Sequence, residues 1–92
     1  MTYEVKLSDR ALKHVELHRR AGNAPVLRKL DRLLDELEHH PRTGTGSPKQ
    51  LKGDLAGYYS RRITQKHRLV YGIDDGMVVV LVVAAYGHYD DK

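Results

Sequence analysis

Ninety-two residues make one small domain, residues 1–92, and rule out a two-domain machine. The absence of cysteine excludes a disulfide framework, thiolate zinc sites and cysteine nucleophiles, and without Phe or Trp the core must be aliphatic, with six tyrosines as the only aromatics. The net charge of +4 is concentrated in the middle third: residues 41–70 carry seven Lys/Arg against the single Asp54, the footprint of a phosphate-bearing partner or, equally, of a solvated face on a basic protein.

The first residues lack the basic and apolar segments of a signal peptide, and the one long apolar run, residues 77–86, is about half the ~20 residues needed to span a bilayer. The expectation is a cytoplasmic protein with no membrane partner. Tyr3, Val5 and Leu7 alternate with polar residues, the period of a half-buried strand. Ser8 is placed to cap a helix over residues 9–21, with Asp9 in its first turn, Arg19 and Arg20 in its last, and Gly22 as the stop. Ala11, Leu12 and Val15 supply its apolar stripe, and His14 and His18 read as a polar face.

Asn23 caps a second helix with Pro25 in its first turn, and Val26, Leu27, Leu30, Leu33, Leu34 and Leu37 give it a strong apolar face ending before Pro41. Two helices this close in sequence form an antiparallel hairpin. Residues 41–57 change to turn chemistry and read as a functional loop with a short strand or turn at Gln50 to Lys52. Residues 59–63, 67–73 and 77–86 follow as β runs, the last two joined by Asp74-Asp75-Gly76 as a hairpin. The unbroken run from Val78 to Val83 predicts a central strand covered on both sides or buried by its neighbours. The resulting fold class is α+β: an N-terminal strand and an antiparallel two-helix hairpin packed on a mainly antiparallel four-stranded sheet.

Gly44-Thr45-Gly46 lacks the following Gly-Lys-Ser/Thr of a phosphate loop, and His14 and His18 lack the intervening Glu of a zincin helix, so neither a nucleotide cofactor nor a metal is expected. Two strands around Thr64-Gln65-Lys66 bring Arg61, Arg62 and Arg68 together, although alternation sends Arg61 and Arg62 to opposite faces, so one of the two should be structural. Arginine offers a permanently charged fork suited to phosphate, and a salt bridge to a carboxylate such as Asp54 suits it equally. Beyond the last run stand Tyr86, Gly87, His88 and Tyr89, an imidazole able to move protons beside phenols able to orient a phosphate or stack on a base.

Pro48-Lys49-Gln50-Leu51-Lys52-Gly53-Asp54-Leu55-Ala56-Gly57-Tyr58-Tyr59-Ser60-Arg61-Arg62-Ile63, then His67-Arg68-Leu69-Val70-Tyr71 and a terminal His88-Tyr89, resembles the Txe/YoeB branch of the RelE-type toxins of bacterial toxin-antitoxin modules. The resemblance is close in the C-terminal half and one of layout in the first 40 residues. It implies a microbial-ribonuclease-like fold and a metal-independent endoribonuclease that cleaves mRNA on the 70S ribosome, at the A site, by attack of the 2'-hydroxyl on the adjacent phosphate. It also implies neutralisation by a cognate antitoxin of YefM/Phd-like or related type. By position, Arg68 stabilises the transition state, His88 is the general acid, Tyr89 the orienting phenol, and Lys52, Tyr59 and one of Arg61 and Arg62 hold RNA phosphates.

One position departs from the pattern: Lys49 stands where the family carries its general-base glutamate. Three readings follow. Lys49 or Lys52 acts as the base with a pKa lowered by cationic neighbours, His88 takes the base role, or the protein is an attenuated toxin that still binds RNA, the ribosome or its antitoxin.

Overall fold

The alternation at the N-terminus becomes strand β1, Glu4–Leu7, with Val5 and Leu7 against the core and Glu4 and Lys6 exposed, in the computed structural model, which describes residues 2–87. Ser8 is extended, and its Oγ accepts the Ala11 N–H at 3.1 Å, so it caps α1, Asp9–Arg20. Gly22 adopts φ +65°, the left-handed stop that favours glycine. Asn23 Oδ1 then accepts the Val26 N–H and opens α2, Ala24–His39.

The leucine spacing of α2 translates directly into burial: Val26, Leu30, Leu33 and Leu37 are buried at intervals of four, three and four. Each such side chain stabilises the fold by roughly 1.5–3 kcal/mol. Helix α1 differs from expectation. Leu12 is 54% exposed, and the inward face is instead Ala11, His14, Val15 and His18, with His18 1% exposed. The four positions keep the helical spacing of a core stripe, with histidine in two of them.

Strands β2 (Lys49–Gln50), β3 (Tyr58–Arg62), β4 (Arg68–Asp74) and β5 (Val79–Ala84) complete the chain, with a 3-10 turn at Gly53–Leu55 between β2 and β3. The sheet has five strands in the order β1-β5-β4-β3-β2, mixed because β1 runs parallel to β5 while the other pairs are antiparallel. The fifth strand is β2, the short strand or turn expected at residues 50–52, which begins one residue earlier and joins the sheet at its edge.

Both helices contribute to one core with Ile63, Leu69, Tyr71, Val80, Val82 and Ala85 of the sheet. The valine run of β5 is therefore covered on one face only: Val80 and Val82 are buried and Leu81 is 41% exposed. The preceding turn is also longer than Asp74-Asp75-Gly76 suggested. Asp74 Oδ1 accepts the Met77 N–H at 3.0 Å, residues 75–78 form the turn, and Val78 takes φ +56° before Val79 pairs with Asp74. Among the described residues, no helix is long and apolar enough to cross a membrane.

Candidate nucleic-acid interface

Strand register decides which cations meet. Residues opposite one another in a ladder project to the same face. Tyr59 pairs with Tyr71 and Arg61 with Leu69, and Tyr71 and Leu69 belong to the core under the helices. The alternate pairs, Lys49 with Ser60 and Arg62 with Arg68, therefore project from the face away from the helices. Arg62 and Arg68 lie directly opposite each other, an arrangement of like charges that destabilises a strand pair by up to about 1 kcal/mol. Lys52 is exposed at the head of the 3-10 turn that follows β2.

Gly87 approaches one of these cations, Arg68. The Arg68 N–H donates to the Gly87 carbonyl at 3.0 Å, so the segment leaving β5 lies alongside the first residue of β4. His88 and Tyr89, the general acid and orienting phenol implied by the sequence, lie outside the described residues.

Arg61 is corrected as a phosphate ligand. It is 0% exposed, and its guanidinium is committed within the fold. Nε donates to the Tyr71 hydroxyl at 3.0 Å, Nη1 to Glu36 Oε1 at 3.0 Å and the Thr45 carbonyl at 3.4 Å, and Nη2 to the Thr43 carbonyl at 2.8 Å and the His40 carbonyl. These acceptors match the five N–H groups of arginine. The partner carboxylate is Glu36 of α2, not Asp54. Burial pushes the Glu36 pKa up, but hydrogen bonds from the Thr45 hydroxyl and amide and the charge of Arg61 outweigh it and hold the pKa below its ordinary value. Arg61 thus ties the loop after α2 to the buried face of β3, while Arg62 is exposed on the other face.

Tyr59 is also separated from the cationic face. Its half-buried ring stacks on Tyr71 with centroids 6.0 Å apart and planes at 15°, the Arg42 guanidinium lies 5.9 Å from its centroid, and its hydroxyl accepts from Gln50 Nε2 at 3.1 Å. Arg42 in turn forms a bidentate pair with Asp75 at 2.7 and 3.3 Å, and Tyr3 donates to Asp75 Oδ1 at 2.7 Å. The bonds from Arg42 and Tyr3 hold the Asp75 pKa below the usual carboxylate range. This link between the loop after α2, the N-terminal strand and the β4–β5 turn has no signature in sequence, because its members are separated by 33 and 72 residues.

Sequence reasoning also missed a ring cluster of His14, His18, His67 and Tyr86. Centroid separations are 4.6 Å for His18–His67, 4.7 Å for His67–Tyr86 and 4.9 Å for His18–Tyr86. The signal was present: positions 11, 14, 15 and 18 have core spacing once histidine is allowed on the inward face. Among the described residues, no group of three or more His, Cys, Asp or Glu side chains is arranged to hold a metal ion.

Residues 9–89 match the family model described as YoeB-like toxin of bacterial type II toxin-antitoxin system. Over 73 residues the chain is 41% identical to Toxin YoeB of Streptomyces coelicolor, covering 79% of this chain and 84% of that protein. The solved YoeB/ParE toxin from Agrobacterium tumefaciens superimposes with a TM-score of 0.86 at 32% identity, covering 94% of this chain and 99% of that one. The toxin fold in a YoeB-YefM complex from Staphylococcus aureus superimposes with a TM-score of 0.80 at 31% identity, covering 97% of this chain and 100% of that chain.

Proposed function

The chain belongs to the YoeB-like toxin family of bacterial type II toxin-antitoxin systems, and from that premise we propose that it is a cytoplasmic, metal-independent endoribonuclease that cleaves mRNA in the ribosomal A site and is neutralised by a YefM-like antitoxin. The observation that carries the reading is the ladder register that sets Lys49, Arg62 and Arg68 on one sheet face, with the residue preceding His88 hydrogen-bonded to the Arg68 amide.

In the proposed reaction the 2'-oxygen forms a bond to phosphorus as the bond from phosphorus to the 5'-oxygen breaks. A base takes the 2'-hydroxyl proton, fixed cations stabilise charge on the phosphorane oxygens, and an acid gives a proton to the departing 5'-oxygen. Arg68 supplies the transition-state charge, Arg62 and Lys52 hold flanking phosphates, His88 is the acid and Tyr89 orients the reacting group. Arginine suits the stabilising role because its charge persists at every working pH and its fork matches two phosphate oxygens. Lys49 occupies the position of the base. As an amine it accepts a proton only in its neutral form.

That residue also supports a second reading, an attenuated toxin that binds RNA, the ribosome or its antitoxin without cleaving. Mapping mRNA 5' and 3' ends in a translating extract separates the two. New ends within codons at ribosome-occupied positions are expected. Salt-sensitive ribosome binding with no new ends would sink the enzymatic reading.

A further inference from the structure

The polar groups of the segment leaving β5 are held by side chains of α1 and the residue before β4. His14 Nδ1 accepts the Ala85 N–H at 2.9 Å, and His18 Nε2 lies 2.8 Å from the Ala85 carbonyl, to which it must donate because a carbonyl only accepts. His67 Nδ1 accepts the Gly87 N–H at 2.9 Å, and the Arg68 N–H donates to the Gly87 carbonyl at 3.0 Å. Between these residues the Tyr86 ring packs against His18 and His67. The path of residues 85–87 is therefore set by three imidazoles from two distant parts of the chain.

We propose that His14, His18 and His67 are positioning residues of the RNA-cleaving site: they fix the path of residues 85–87 and hold Gly87 against the backbone of Arg68, the cation that the proposed reaction uses. The proposal rests on the function proposed above. It explains why histidines occupy the inward face of α1, where leucine would satisfy packing alone. Leucine has no lone pair for the Ala85 N–H and no donor for its carbonyl, and a buried amide left without a partner costs about 1–3 kcal/mol.

The clamp carries a condition. An imidazole accepts an N–H at Nδ1 only while that nitrogen is unprotonated, so His14 and His67 must be neutral with their protons on Nε2. Among the described residues, the charged and titratable groups around His14 are Arg10 and His18 of α1 and Tyr86 beyond β5. Around His67 they are His18 and Tyr86, with Lys66 and Arg68 flanking it in sequence. Burial first, then Arg10 and His18, lowers the His14 pKa from its ordinary 6.5, in favour of the accepting form. Acidification protonates the ring, turns donor toward donor and releases the Ala85 amide. The clamp is intact above the ordinary histidine pKa and is lost as pH falls through the lowered value.

The test has two arms on the full chain. In the first, backbone amide resonances of Ala85 and Gly87 are followed from pH 8.5 to pH 5. In the wild type they move along the titration of His14 and His67, and in His14→Asn and His67→Asn, whose amide oxygen accepts without titrating, that movement is lost. In the second arm, mRNA cleavage is measured over the same range. His14→Leu or His67→Leu is expected to lower kcat by about 10²-fold, the scale of a misplacement near 1 Å. The asparagine replacements recover most of that loss and shift the acid limb of the pH profile. Leucine variants that cleave as wild type, or Ala85 and Gly87 amides indifferent to pH, would overturn the proposal. A wild type that cleaves nothing instead defeats the functional reading, while the resonance arm still decides whether the clamp exists.

Discussion

Arg61 Nη1 donates to Glu36 Oε1 at 3.0 Å, joining the buried face of β3 to the last turn of α2. Removing one partner of a buried pair leaves the other's charge uncompensated, which costs more than the pair itself contributes. Arg61→Ala is therefore expected to lower the unfolding free energy by roughly 3–5 kcal/mol in urea denaturation. Arg61→Lys should recover only part of it, because an ammonium has three donors and no fork to span the carbonyls of residues 40, 43 and 45. A lysine variant as stable as wild type would show that the fork geometry is dispensable.

Glu36 makes the same junction sensitive to acid. Its folded pKa lies below its ordinary 4.5, so its stabilising contribution is fully present above pH 4.5 and disappears as pH falls through the folded value. The wild type should be more stable than Glu36→Gln at pH 7, with the difference narrowing below pH 4.5. Thermal unfolding of both proteins across this range measures it, and a gap that widens in acid would contradict the linkage.

Arg62 and Arg68 face each other across β3 and β4, yet the proposed chemistry gives them separate work. Arg68→Ala should reduce single-turnover cleavage by about 10²- to 10³-fold, with smaller effects on binding. Arg62→Ala should chiefly weaken RNA binding and flatten the salt dependence by roughly 0.7 in the log-log slope, one phosphate contact to a single strand. Equal effects of the two substitutions on binding and on cleavage would dissolve the division of roles.

Lys49→Glu distinguishes an attenuated enzyme from one that uses lysine as base. A cleavage gain on the 10²- to 10⁴-fold scale of general-base catalysis is expected if the native residue attenuates the site. A comparable loss would assign proton abstraction to Lys49, and an unchanged rate would place the base elsewhere. Quenched-flow cleavage of a ribosome-bound message reads all three outcomes.

Much of the fold could be read from local pattern. The leucine spacing of α2, the serine and asparagine caps and the alternation in β1 act over a few residues, so periodicity alone reveals them. The concentration of cations in the middle third is legible in the same way. The short strand near Gln50 stays open between strand and turn in the sequence because two residues show no period, and the parallel pairing of β1 with β5 is not legible, because a pairing across more than 70 residues leaves no local trace.

What the sequence by itself determined is the inventory: one small domain with an aliphatic helix face, and six surplus positive charges in residues 41–70, Lys49 among the cations. Only the tertiary structure decided how that inventory is used. Arg61 and Arg62 are neighbours of identical chemistry, and the pleat alone sends one into a fully satisfied buried network and the other to the open face. His14 and His18 look like a polar helix surface until α1 docks and their nitrogens meet the Ala85 backbone. A side chain's chemistry is local, but its partner is chosen by the packing of segments far apart in the chain.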